Sequence, residues 1–130
     1  MQIIAESNSV TISPRKVRLV ADAIRHLTLT EAMQLLSLTP KRASRPMQKV
    51  LQSAIANAVN NKRLSQDTLS LKAIEVMEGP VMKRYHPSTR GRIHPYKKQT
   101  SHIRVVLESV EKPKEKPAMK HKKGEEEEDE

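Results

Sequence analysis

The chain has 130 residues and a formal net charge of +9, from 24 lysines and arginines against 15 carboxylates. It has no cysteine, which excludes disulfides, thiolate catalysis and cysteine-ligated zinc. No stretch approaches the ~18 apolar residues that a membrane span needs, and the N-terminal residues do not have the pattern of a signal peptide. One basic domain with a polyanionic partner is therefore the expected class.

The charges are unevenly distributed along the chain. Residues 111–130 hold six lysines and eight carboxylates in a low-complexity sequence, so the first 110 residues carry +11. Such a segment cannot bury apolar surface, and we predict a disordered charged tail over 111–130. The predicted domain is 1–110.

A strand and a helix are predicted at the start of the domain. Apolar residues alternate with polar ones over 2–12, as in a half-buried strand. Ser13 and Pro14 then suit the N-cap and the first position of a helix. We expect this helix to run from about residue 14 to 26.

Two more helices are predicted next. Thr28 and Glu31 have the spacing of a capping box, which begins a short second helix. The third helix has apolar residues at helical spacing from Met47 to Ala58, with Asn and Gln on its other side.

Two further strands frame the most basic part of the chain. Alternation from Leu69 changes phase before Ile74, which indicates a strand with a bulge or with both faces partly covered. Alternation over 103–107 indicates the last strand. The segment between them, 79–102, is predicted to be a β-hairpin that turns at Arg90-Gly91, because Gly tolerates the positive φ of a turn.

This hairpin, called the arm below, contains no carboxylate. The acid-free segment runs from Gly79 to Leu107, and its cations are Lys83, Arg84, Arg90, Arg92, Lys97, Lys98 and Arg104. Their repulsion is not compensated by the chain itself, and a lone hairpin is marginal in water. Phosphates of RNA would neutralise and order it.

A turn at Arg90-Gly91 places Tyr85 opposite Tyr96 and Lys83 opposite Lys98. The two tyrosines either stack on unpaired bases, which proteins do mainly with RNA, or pack on each other across the strands.

The start of the first helix forms a second basic patch. It carries Arg15, Lys16 and Arg18, and its backbone N–H groups are predicted to offer a phosphate site. Alternatively, these cations form a solvated charged face.

At this point the sequence resembles the large-subunit ribosomal protein family numbered twenty-two, the exit-tunnel protein of bacterial type. The resemblance spans about residues 3 to 110. The motifs that carry it are Ser13–Val20, Ser53–Ala58, Gly79-Pro80, Lys83-Arg84, Gly91-Arg92 and Thr100–Ile103. The sequence departs from the family pattern at Ser88-Thr89, Pro95 and Gln99, which makes the tip less basic.

The resemblance implies an α+β fold in which three helices pack on a small three-stranded antiparallel sheet, with a long protruding β-hairpin. It implies a structural constituent of the large ribosomal subunit in the cytoplasm. Such a protein binds large-subunit ribosomal RNA (rRNA), supports early assembly and lines the polypeptide exit tunnel with its hairpin. The expected partners are rRNA, neighbouring ribosomal proteins and the nascent chain, without a cofactor or metal. The expected rRNA-binding residues are Arg15, Lys16, Arg18, Lys83, Arg84, Tyr85, Arg90, Gly91, Arg92, Tyr96, Lys97, Lys98, Thr100, Ser101 and His102.

Two other functions have some basis in the residues of the arm, and both are disfavoured. A nuclease built on His86, His94 and His102 is disfavoured, because metal-dependent phosphoryl chemistry needs carboxylates that this segment does not have. An architectural DNA-binding protein with a basic arm is disfavoured because Ile93 is the only apolar wedge near the tip. The acidic part of the tail either shields the arm before assembly or is an inert solubilising extension.

Overall fold

The computed structural model describes residues 1–109, so the predicted disordered tail, 111–130, lies outside the described residues. Three α-helices follow the first strand: α1 (Pro14–Ile24), α2 (Leu29–Leu38) and α3 (Ser44–Ala56). The strands are β1 (Gln2–Val10), β2 (Leu69–Glu78), β3 (Met82–Pro87), β4 (Ile93–Lys98) and β5 (Ser101–Ser109). The prediction of an α+β fold with three helices is confirmed.

The local signals for the helices act largely as predicted. Pro14 is the first residue of α1, although the Ser13 side chain makes no capping hydrogen bond. The capping box of α2 is complete, because the Thr28 side chain accepts from the Glu31 N–H and the Glu31 carboxylate accepts from the Thr28 N–H. Beyond α3 the chain continues as a π-helical turn, Asn57–Asn61, where the apolar pattern predicted regular helix as far as Ala58.

Three strands form one antiparallel sheet with β5 in the centre, in the order β1-β5-β2. A register irregularity between Leu71 and Ala73 confirms the predicted bulge. It changes the phase of β2, so that Leu71 pairs with Leu107 and Ile74 pairs with Val105. Because of the bulge, the apolar residues on both sides of it face the same layer of the core.

The core lies between this sheet and the helices. Helix α3 contacts β1 and β5, α1 contacts β2, and α2 packs on α3. The most deeply buried large side chains are Val17, Ile24, Met47, Leu51, Ile103, Val105 and Leu107. The core contains no aromatic side chain, as the composition required.

The sheet gives the body two ends. At one end Leu69 pairs with Ser109, and the Met1 ammonium donates to the Ser109 carbonyl. At the other end Glu78 pairs with Ser101, and the chain passes into a second sheet made of β3 and β4. The arm therefore leaves the body at the end opposite Met1 and Ser109.

Candidate nucleic-acid interface

The paired part of the arm consists of β3 and β4, which pair only with each other as an antiparallel two-stranded sheet. Every residue of the two strands is exposed except Met82, which is half-buried. The strands and the tip together carry six cations, Lys83, Arg84, Arg90, Arg92, Lys97 and Lys98. The salt bridges found within residues 1–109 involve other cations, so the charge of the arm is not offset by carboxylates of the described chain.

The register of the arm corrects one prediction. Tyr85 lies opposite Pro95, and Tyr96 lies opposite Arg84, so the two tyrosines are not a cross-strand pair. The register differs by one residue from the predicted one, and such a shift turns side chains to opposite faces of a sheet. Mutual packing of the tyrosines is therefore wrong. Lys83 does face another lysine, Lys97 rather than Lys98.

The two faces of the arm have different aromatic surfaces. On one face the His86 ring stacks on Tyr96, with centroids 4.2 Å apart and an angle of 15° between the planes. On the other face Tyr85 is 67% exposed. Cations lie on both faces, with Arg84 on the side of Tyr96 and Lys83 on the side of Tyr85. Each face thus combines positive charge with an aromatic ring, the combination used to hold single-stranded nucleic acid.

The tip confirms the predicted turning point. A short 3₁₀ turn spans Thr89–Gly91, with φ of 58° at Arg90 and 70° at Gly91. The Ser88 N–H donates to the Arg92 carbonyl at 2.7 Å and closes the loop. Because three residues form the loop instead of two, the strands pair one residue out of the predicted register. The Arg90 side chain is held at the end of the arm, in solvent.

The root of the arm is packed tightly. The Gly79 N–H donates to the Thr100 carbonyl at 2.9 Å, and the Thr100 hydroxyl donates to the Pro80 carbonyl at 2.6 Å. Thr100 and Ser101 are 3% and 0% exposed. Their side chains belong to the packing of the root and do not face solvent, although the sequence placed them in the RNA-binding set.

Two further residues of the acid-free segment belong to the body sheet. His102 lies in β5, and its Nδ1 accepts a hydrogen bond from the Ser9 N–H at 2.9 Å. Arg104 lies between two carboxylates of the neighbouring strands, 3.2 Å from Glu6 and 3.5 Å from Glu75. The prediction that the chain leaves the charge of this segment uncompensated is therefore wrong for Arg104. Among residues 1–109 it holds for the arm, whose cations have no carboxylate partner there.

The basic patch of α1 lies at the same end of the body as the arm. Pro14, the first residue of α1, lines a small cavity together with Gly79, Val81 and Thr100. Arg15 and Lys16 are exposed beside it. The structure therefore brings together two basic surfaces that are more than 60 residues apart in the sequence.

The helix start itself offers fewer donors than predicted. The N–H groups of Lys16 and Val17 both donate to the Ser13 carbonyl, and Pro14 has no N–H. Arg18 directs one guanidinium nitrogen to the Val76 carbonyl of β2 at 3.2 Å. The contribution of α1 to an anion site thus lies mainly in its cationic side chains, not in its backbone.

A comparison with protein families identifies the family of this chain. The model of the family described as ribosomal protein L22p/L17e matches residues 5–108. This chain belongs to that family. The resemblance noted in the sequence is thereby confirmed.

Individual relatives agree over nearly their whole length. Large ribosomal subunit protein uL22 of Thermus thermophilus is 51% identical over 107 residues, which cover 82% of this chain and 95% of the relative. The protein of the same name from Mesoplasma florum is 46% identical over 107 residues, covering 82% of this chain and 96% of the relative. These names denote ribosomal proteins, and the prediction that the chain is not an enzyme is confirmed by its family.

One pair of basic residues lies beside the α1 patch but is absent from the predicted RNA-binding set. Lys41 and Arg42 line a surface cleft together with Lys16 and Leu19, between the start of α1 and the loop before α3. The only signal in the sequence was a pair of cations directly after Thr39-Pro40. Their position beside Lys16 depends on the packing of α1 against α3, which no local pattern encodes.

Two classes of site find no support in the described part of the chain. Within residues 1–109, no group of three or more His, Cys, Asp or Glu side chains is arranged to hold a metal ion. None of the helices in that range is long and apolar enough to cross a membrane.

Proposed function

We propose that this protein is a structural constituent of the large ribosomal subunit and binds large-subunit rRNA through its arm. The observation that carries the proposal is the exposed, acid-free arm in a chain of this family. Six cations lie on the two strands of the arm and at its tip, and the sheet of the arm is separate from the sheet of the body. A hairpin of this kind is marginal in water and gains order when phosphates neutralise it.

The arm is proposed to protrude from the body into rRNA. Arg90 at the turn lies eleven residue steps beyond Gly79, which corresponds to about 36 Å of extended strand. Lys83, Arg84, Arg92, Lys97 and Lys98 contact phosphates, and Tyr85 offers an open ring to an unpaired base. Arg90 and Gly91 at the tip line the exit tunnel and meet the nascent chain.

The body is proposed to anchor the arm on the subunit surface. Arg15, Lys16 and Arg18 lie at the arm end of the body and extend the RNA contact beyond the arm. The protein joins rRNA early in assembly, in the cytoplasm, and contacts neighbouring ribosomal proteins there. Thr100 fixes the root of the arm, whereas Ser101 and His102 belong to the adjoining end of β5 in the body sheet.

Cosedimentation with the large ribosomal subunit tests the proposal. The intact protein is expected to cosediment at stoichiometric level and to protect discrete rRNA nucleotides from hydroxyl radicals. A variant with Lys83→Gln, Arg84→Gln, Lys97→Gln and Lys98→Gln keeps the body intact and is expected to lose the protection attributable to the arm. An intact protein that remains free of subunits would overturn the proposal.

A second measurement separates RNA from DNA. The intact protein is titrated at matched salt with a large-subunit rRNA fragment and with duplex DNA of equal length. We expect tighter binding to the rRNA, because the open Tyr85 ring has no partner base in an intact duplex. Equal affinity would favour the architectural DNA-binding alternative.

A further inference from the structure

The arm is a large cationic surface for which the described chain supplies no counter-charge. The guanidinium of Arg84 contacts only the Lys83 carbonyl and the Met82 sulfur among the hydrogen bonds of residues 1–109. Three cations of the body, by contrast, have carboxylate partners. Arg25 is paired with Asp22, Lys72 with Glu108, and Arg104 with two glutamates.

The sequence beyond residue 110 has a matching block of opposite sign. Residues 111–124 contain six lysines and two glutamates, whereas 125–130 are six consecutive carboxylates. The six negative charges of this acidic run equal in number the six cations of the arm. Six extended residues span about 20 Å, which is also the length of a six-residue strand such as β3.

We propose that the acidic run 125–130 binds the arm of the same molecule and occupies it as an intramolecular mimic of RNA phosphates. Carboxylates accept charge-assisted hydrogen bonds from lysine and arginine as phosphate oxygens do. The bound run neutralises the repulsion between Lys83 and Lys97, which face each other across the strands. RNA must then displace the run before it can bind the arm. This competition lowers the affinity for RNA of unrelated sequence more than the affinity for the specific rRNA site.

The connection is long enough for this contact. The acidic run begins 16 residues beyond Ser109, which lies at the end of β5 remote from the arm. Sixteen extended residues span at most about 55 Å. The connection must first pass along β5 from Ser109 to Ser101, which is eight residue steps or about 26 Å. The rest of its extended length is enough to pass the root of the arm and to follow much of the arm.

The arm is a better site for the run than the other cations of the chain. Lys120, Lys122 and Lys123 precede the run directly, but they carry half the charge of the arm. The cleft of Lys16, Lys41 and Arg42 also holds three cations. On the arm, four cations lie on two adjacent strands and Arg90 and Arg92 lie at the tip beyond them, so that a single hairpin presents all six.

Three forms of the full-length protein test this inference. The first is the unaltered chain. The second, the neutral variant, carries Gln in place of Glu125–Glu128 and Glu130 and Asn in place of Asp129. The third, the rearranged variant, keeps the composition of 111–130 but distributes its acids among its lysines, so that net charge is unchanged and the acidic run is lost.

Binding to a 20-nucleotide RNA of random sequence is measured from about 50 mM to 500 mM NaCl. At low salt we expect the neutral and rearranged variants to bind about three- to tenfold more tightly than the unaltered chain, as for loss of a tethered competitor. Their salt dependence is expected to be steeper, because displacing the acidic run takes up cations that RNA binding otherwise releases. At high salt the three affinities are expected to converge.

Amide chemical shifts locate the contact. Residues 82–98 are expected to differ between the unaltered chain and the neutral variant, independently of protein concentration. Three outcomes would each overturn the intramolecular contact. The arm shifts do not differ between the two proteins, the differences are confined to the Lys16 cleft, or the differences disappear on dilution. If all three forms bind RNA equally, this inference fails and the proposed function stands; if none binds RNA, the proposed function fails.

Discussion

Gly79 and Thr100 face each other at the root of the arm so closely that no side chain fits between them. A Cβ added to Gly79 would overlap the Thr100 Oγ1, and it would lie 3.2 Å from the Thr100 carbonyl carbon. The same two residues share a backbone hydrogen bond of 2.9 Å. This close approach fixes the place where the chain leaves the body sheet and enters the arm.

Substitution Gly79→Ala is therefore expected to destabilise the protein and to change the direction of the arm. Overpacking of a close contact costs about 1–3 kcal/mol, and backbone atoms of Thr100 cannot move aside as a flexible side chain can. Urea unfolding gives the change in the free energy of unfolding, and residual dipolar couplings give the orientation of the arm.

The partner residue provides the control for this prediction. Thr100→Ala removes Oγ1 and also the hydrogen bond to Pro80, so alone it is expected to destabilise. Combined with Gly79→Ala, it is expected to cost less than the sum of the single changes, by about 0.5–3 kcal/mol of coupling. Strict additivity would show that the two side chains do not meet.

Loss of two facing lysines on the arm should weaken RNA binding without loss of stability. Lys83 and Lys97 are a register pair of like charge, so replacing both with Gln removes a repulsion in the free protein. We expect weaker rRNA binding and a salt dependence whose slope falls by about 1.5, for two lost phosphate contacts.

A matched control removes an exposed lysine at the other end of the body. Lys62 follows the π-helical turn after α3 and is exposed. Lys62→Gln is expected to leave the slope nearly unchanged. An equal effect of Lys62 and of each arm lysine would mean that only net charge matters.

The two tyrosines are expected to respond differently to replacement by Leu. Tyr85 is 67% exposed, whereas Tyr96 is 39% exposed and stacked on His86. Stacking of a base on an aromatic ring contributes about 1–3 kcal/mol, so Tyr85→Leu should lower affinity for single-stranded RNA by roughly tenfold. Tyr96→Leu should instead accelerate amide exchange in the arm, since it removes the internal stack. A larger loss of affinity from Tyr96→Leu would contradict this assignment.

The capping box of α2 predicts a dependence of stability on pH. The Thr28 N–H and hydroxyl both donate to the Glu31 carboxylate, at 3.1 Å and 2.8 Å. The backbone hydrogen bond is the main cause that lowers the pKa of Glu31 below its usual 4.5, and the hydroxyl adds to it. The stabilisation is fully present above that value and is lost as the pH falls through the lowered pKa of the folded protein.

Glu31→Gln and Thr28→Ala test this arrangement. The melting temperatures of the unaltered chain and of Glu31→Gln should differ at neutral pH and converge below pH 4.5. Thr28→Ala removes the cap itself and should lower the free energy of unfolding by about 1 kcal/mol at any pH above 4.5. If the melting temperatures of Glu31→Gln and the unaltered chain still differ in acid, the effect comes from the altered side-chain geometry and not from the charge of Glu31.

Elements that depend on neighbours in the sequence were predictable. The capping box at Thr28 and Glu31, the Pro14 helix start and the phase change before Ile74 are all local signals. Each dictates backbone geometry within a few residues, and the structure shows each of them. The Arg90-Gly91 turn belongs to the same class.

The register of the arm was not predictable in the same way. Where one face of a strand is buried, the apolar pattern fixes the pairing, but both faces of β3 and β4 are exposed. Register there follows from the loop, and the sequence does not show that Arg90 joins Gly91 at positive φ. Because the loop is one residue longer than predicted, the register changes by one residue, and Tyr85 and Tyr96 lie on opposite faces of the arm.

The remaining differences between the predicted and the observed structure come from packing between residues that are distant in the sequence. The burial of Thr100 and Ser101 and the ion pairs of Arg104 arise between strands that are distant in the sequence. The family resemblance placed Thr100 and Ser101 in the RNA-binding set, and the absence of acids from the segment placed Arg104 on the basic surface. In the structure Ser101 and Arg104 pair with residues of β1 and β2, and Thr100 packs on Gly79 and Pro80.

The central position of β5 brings Met1 and Ser109 side by side, with hydrogen bonds in both directions between their backbones. A fluorophore attached at residue 1 would therefore lie at the end of the body sheet opposite the arm. The same adjacency suits circular permutation of residues 1–109: a short linker from Ser109 to Met1 would allow the chain to be opened at Arg90-Gly91. The two halves of the arm would then become free ends whose docking could be followed separately.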